Sequence, residues 1–67
     1  MDTTYQDRLK IEYEELNKKI EKLEAFIKGD IYKTLEFGEQ LDMKEQLSVM
    51  QNYSRILLRR LKRKGLI

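Results

Sequence analysis

The stretch LKIEYEELNKKIEKLEAFI, residues 9–27, decides the fold. Its apolar residues Leu9, Tyr13, Leu16, Ile20, Leu23 and Ile27 recur at spacings of 4, 3, 4, 3 and 4. A helix turns about 100° per residue, so these steps gather all six on one face as a heptad seam. Glu14–Lys18, Glu15–Lys19 and Glu24–Lys28 stand one turn apart in the favourable order on the wet side. The pattern predicts a helix over residues 4–28, opening near Thr3 or Thr4. Thr3 with Gln6 has capping-box spacing, and Asp7 puts negative charge in the first turn. Gly29 is expected to end the helix as a left-handed cap.

Working outward, Asp30 is placed to cap a short helical turn over residues 31–36, and Gly38 is expected to break the pattern. Asp42 with Glu45 repeats the capping-box spacing and predicts a second long helix over 42–64. Its seam is Met43, Leu47, Met50, Leu57 and Leu61, with Ser54 in the gap. Gly65 is its expected cap, and no proline interrupts either helix. The fold class is therefore all-α: a two-helix antiparallel hairpin, one domain over 1–67, with a short helical turn between the helices.

A hairpin of 67 residues is too small to build a generous core. Chains of this size usually add a disulfide, a metal or a partner. There is no cysteine and no histidine, which leaves the partner chain. Val49, Tyr53 and Ile56 lie beside the second seam, and Phe26 beside the first, so apolar surface is left over once the hairpin has closed. Assembly into a helical homo-oligomer is expected. The first residues contain no apolar run of a signal peptide, and Ile56-Leu57-Leu58 is far too short to span a bilayer. A cytoplasmic protein with no membrane partner is expected.

Catalysis has few tools here. Without histidine or cysteine the commonest general base and nucleophile are missing, and Ser48 and Ser54 sit inside helix two with no elbow around them. Gly29, Gly38 and Gly65 are too scattered to cradle a phosphate. No enzyme, no catalytic residue, no metal site and no cofactor are expected.

Binding is better provided for. The net charge of +2 hides an asymmetry: residues 1–54 carry twelve acids and eight bases, whereas residues 55–67 carry six bases and no acid. Arg55, Arg59, Arg60, Arg63 and Lys64 form a row that suits phosphate groups, and equally suits a solvated helix end that complements the dipole. Tyr5, Tyr13, Tyr32 and Tyr53 are distributed along the chain. A tyrosine can fill a core edge with its hydroxyl in water, or it can stack on a nucleobase while a cation holds the phosphate. Lys28 stands at the mouth of the hairpin, where it either ends a helix and pairs with Glu24 or meets a ligand. DNA or RNA binding through the basic end is a weaker reading, because the pI of 8.9 and mixed charge elsewhere make a faint footprint. A coiled-coil-like adaptor that docks on another protein is the other alternative.

The order Glu15-Leu16, Lys22-Leu23-x-x-Phe26-Ile27, then Gln46-Leu47-x-x-Met50-x-x-Tyr53-x-x-Ile56-Leu57-x-x-Arg60 resembles small bacteriophage helical-hairpin proteins. Those are the anti-CBASS and anti-Thoeris sponges, which capture the cyclic nucleotide signals of bacterial defence. The resemblance covers about Tyr5 to Leu61. It implies a dimer-based homo-oligomer, hexameric in the best-known branch, in the host bacterial cytosol, holding cyclic di- or trinucleotides between subunits without cleaving them. It also implies that Tyr13 stacks on a base and Lys28 pairs with phosphate. Tyr5, Arg59, Arg60 and Arg63 complete the candidate ligand-binding residues, as an expected second phosphate site at the basic end.

Overall fold

A computed structural model describes residues 4–67. It contains three helices, α1 (Tyr5–Lys28), α2 (Asp30–Thr34) and α3 (Phe37–Arg63). α1 and α3 pack along their length as an antiparallel hairpin inside an envelope of 45 × 23 × 15 Å, with α2 in the connection. The all-helical hairpin expected from the two seams is what the chain forms.

α1 starts one residue later than the pattern suggested. Thr4 is its cap: the Thr4 hydroxyl accepts from the Asp7 backbone N–H at 3.1 Å, and the Asp7 carboxylate accepts from the Thr4 N–H at 3.4 Å. The alternative box through Thr3 involves a residue outside the described ones. Gly29 is not left-handed. Its φ of −86° and ψ of 174° are extended, and its N–H closes α1 tightly on the Phe26 carbonyl at 3.0 Å. An extended residue turns the chain sharply, and α2 begins at once with Asp30 inside it rather than capping it.

The larger departure is the start of α3, five residues before the expected Asp42. Gly38 lies in the first turn and does not break the helix, and Asp42 is an exposed interior residue. The physical reason is a clasp across the turn. The Tyr32 hydroxyl donates to the Gln40 carbonyl at 3.0 Å, and the Gln40 side-chain amide donates to the Tyr32 carbonyl at 2.9 Å. The reciprocal pair needs Gln40 already helical, and it buries Tyr32. Tertiary contact here overrides a capping pattern that was only local. Gly65, by contrast, is left-handed with φ +72° as expected. The Leu66 N–H reaches the Leu61 carbonyl at 3.0 Å and Leu66 packs on the core, completing a Schellman-type stop.

The buried core consists of Leu9, Leu16 and Ile20 from α1 and Leu57 and Leu61 from α3, with Tyr13, Leu47, Met50 and Leu66 packed around it. Leu57 and Leu61 are fully enclosed, at 0% exposure. Ser54, the gap in the second seam, is a polar layer: its hydroxyl donates to Asn17 Oδ1 at 2.6 Å across the helices. A half-buried polar pair between two helices favours one register, at some cost in apolar contact. The expected pairs Glu14–Lys18, Glu15–Lys19 and Glu24–Lys28 do not close. Among the described residues the ion pair is Asp30–Lys33 at 3.7 Å, itself exposed. Long solvated side chains gain too little from such contacts to be held in them.

Leu57→Ala should cost about 2–5 kcal/mol, as buried leucine truncations do. That is enough to unfold a marginal chain, and loss of helical circular dichroism at 25 °C would register it. Tyr32→Phe keeps the ring and removes one hydrogen bond, so urea unfolding should show a loss of about 1 kcal/mol.

Candidate functional site

The antiparallel pairing brings the first turn of α1 beside the last turns of α3, and the basic residues gather there. Tyr5, the first residue of α1, is 57% exposed. The Arg60 guanidinium donates to its hydroxyl. Arg60 also lies over the ring, with Cζ 6.0 Å from the centroid, and Lys64 Nζ is 5.1 Å away. An exposed aromatic with two cations over it is held by attractions of about 0.5–1 kcal/mol each. The cations retain donors for an anion.

Arg59 is not part of that cluster. Successive helical residues point about 100° apart, and Arg59 instead lines a groove of about 250 Å³ with Arg55, Leu58 and Lys62. Arg55 donates to Asn52 Oδ1 and borders a second groove of about 390 Å³ with Ser48, Val49, Gln51 and Asn52. The two grooves share Arg55, so a shallow trough follows the outer side of α3, polar at one end and cationic at the other. Arg63 is exposed. The row of bases thus divides between two faces: Arg60 and Lys64 towards Tyr5, and Arg55, Arg59 and Lys62 along the trough.

Tyr13 and Lys28 are not brought together within one chain. Tyr13 is half-buried against the core, while Lys28 is exposed at the turn. Fifteen residues separate them on α1, which is about 22 Å of helix at 1.5 Å per residue. The other tyrosines have structural duties. Tyr32 closes the turn, and the Tyr53 hydroxyl donates to the Glu12 carboxylate across the hairpin.

Lys64 belongs with Tyr5 more closely than Arg59 or Arg63 does, and sequence spacing did not separate them. A helical wheel that set the last turns of α3 against Tyr5 would have found it. The Glu12–Tyr53 and Asn17–Ser54 contacts carry no sequence signal, because either partner alone reads as an ordinary surface residue. Among the described residues no group of three acidic, histidine or cysteine side chains is placed to hold a metal ion. No helix there is long and apolar enough to cross a membrane.

Fold and site together define a small helical hairpin whose open end carries two cations over an exposed tyrosine. The family comparison is specific: the Sequestin family matches residues 3–63, and the chain belongs to that family. No curated protein and no solved structure matches it significantly.

Tyr5→Ala should destabilise the hairpin by about 1–2 kcal/mol through loss of both cation contacts, whereas Tyr5→Phe should cost well under about 1 kcal/mol. Chemical denaturation of the two variants side by side checks this.

Proposed function

We propose that the protein is a phage-encoded, non-catalytic sponge: an oligomer in the bacterial cytosol that captures cyclic di- or trinucleotide immune signals intact. The observation that carries this reading is the Sequestin family match over nearly the whole chain. The cationic open end, with an aromatic among its donors, supports the same chemistry.

Tyr13 stacks on a base and Lys28 pairs with a phosphate. About 22 Å of helix lies between them, so a single ligand draws Tyr13 from one copy and Lys28 from another. The pocket therefore belongs to the assembly, and it repeats with the symmetry of that assembly. Lys64 beside Tyr5, and Arg59 in the trough, offer further phosphate contacts at the basic end. A stoichiometric binder needs several sites and no turnover, which suits a chain without histidine or cysteine.

A thermal-shift screen against cyclic di- and trinucleotides tests the reading. A ligand at about 100 times its Kd should stabilise the fold by about 2.7 kcal/mol, and it should be recovered unchanged after heat denaturation. Tyr13→Leu, which keeps the seam apolar, and Lys28→Ala should each weaken binding about tenfold, since stacking of a base contributes about 1–3 kcal/mol. Absence of any shift across the panel, with no heat of binding by calorimetry, would sink the sponge reading.

A further inference from the structure

One side of α3 takes no part in the buried seam, although Tyr53 and Arg60 on it reach α1 through the Tyr53 hydroxyl on Glu12 and the Arg60 guanidinium on Tyr5. Asp42, Glu45, Val49, Tyr53, Ile56, Arg60 and Arg63 follow one another at spacings of 3, 4, 4, 3, 4 and 3. Steps of three and four keep side chains on one face. The face towards α1 is a different one, carrying Leu47, Met50, Ser54, Leu57 and Leu61. Val49 is 63% exposed and Tyr53 41%, while Asp42, Glu45 and Arg63 are exposed and Ile56 and Arg60 half-buried. From end to end the stripe reads two acids, three apolar residues, two bases.

That order is self-complementary under a two-fold rotation. An axis across α3 near Asn52 sets Asp42 and Glu45 of one copy against Arg60 and Arg63 of another, and Val49 against Tyr53 and Ile56. The same pairing then repeats on the other side of the axis, as an isologous contact requires. A parallel arrangement would face acids with acids and bases with bases, which costs several kcal/mol. Tyr53 is already tied to Glu12 through its hydroxyl, so its ring enters the contact with little freedom left to lose.

We infer that this stripe is the contact between two copies of the chain: an antiparallel, two-fold α3–α3 interface centred on Val49, Tyr53 and Ile56 and closed at each end by carboxylate–guanidinium pairs. It names the surface behind the assembly proposed above. It rests on the self-association in that reading and not on the ligand.

Charge reversal on the full chain tests it, with mass read by sedimentation equilibrium and helicity by circular dichroism. The unaltered protein should be a dimer or an even multiple of one. Asp42→Lys with Glu45→Lys should weaken association at least about tenfold, because each attraction becomes a repulsion. Arg60→Glu with Arg63→Glu should do the same. Mixing the two reversed variants in equal amounts should restore association as a heterodimer, since each contact is then again between opposite charges. Val49→Glu, at an exposed position, should also dissociate the protein while keeping the helices, which covers the case of a reversed variant that fails to fold. An oligomer whose mass is unchanged by both reversals and by Val49→Glu would overturn this interface and leave a binding assembly built on some other surface. Dissociation that mixing does not repair would also overturn it. A monomeric protein would overturn both this interface and the inter-subunit pocket, and would assign the stripe to a different partner. A dimer that responds as expected but binds no cyclic nucleotide would uphold the interface and reject the sponge.

Discussion

Everything in this molecule depends on a single seam, where Leu9, Leu16 and Ile20 of α1 meet Leu57 and Leu61 of α3. Two helices can enclose only the strip between them, so the buried set is short and most apolar residues stay at least partly wet. Each fully buried leucine contributes about 1.5–3 kcal/mol, and few are available to offset the ordering of the chain. Such a structure has little tolerance for defects in the seam. It has a corresponding incentive to cover the apolar residues that the hairpin leaves outside.

The polar contacts do a different job, deciding which hairpin forms rather than how firmly it holds. Asn17 with Ser54 interrupts the seam in the middle, Glu12 with Tyr53 ties its flank, and Tyr32 with Gln40 closes the turn. Each is satisfied at one alignment of the helices. Sliding α3 by one turn would part the Ser54 hydroxyl from Asn17 and would uncouple the turn. At the open end, Tyr5 beneath Arg60 and Lys64 ends the hairpin with charge. The elements that specify the alignment thus also gather these cations at one end of the molecule.

The hairpin was legible in the sequence because its information is periodic. Leu9 to Ile27 carries an uninterrupted alternation of fours and threes, and no other structure satisfies it. The Gly65 stop was legible for a similarly local reason. The start of α3 was not, because Asp42 and Glu45 imitate a cap whereas the true start is set by Gln40 reaching Tyr32, a contact that neither residue advertises. Gly29 was misread because a glycine after a helix usually turns left-handed, and here the immediate start of α2 requires an extended residue instead. Of the site, the basic row could be read but not its division. Arg59 and Arg60 are neighbours in sequence and lie on different faces, a distinction that needs the position of α1. Tyr13 and Lys28 could be named from resemblance, but their separation along one rigid helix emerges only when the rise is counted.

The location of the core has a kinetic consequence. A hairpin ordinarily frays from its free ends and is tightest at its turn. Here the most enclosed residues, Leu57 and Leu61, lie at the open end with Leu9, while the layers near the turn, around Leu23, Ile27 and Met43, are only half-buried. Folding must therefore close a loop of nearly the whole chain before its best contacts form, and each doubling of loop length adds only about 0.6 kcal/mol to that cost. Opening of the hairpin therefore starts more easily in the half-buried layers near the turn, because parting the open end breaks the strongest layer at once. The native state is in this sense latched at its mouth, and the layer of Leu9, Leu57 and Leu61 is the last to come apart.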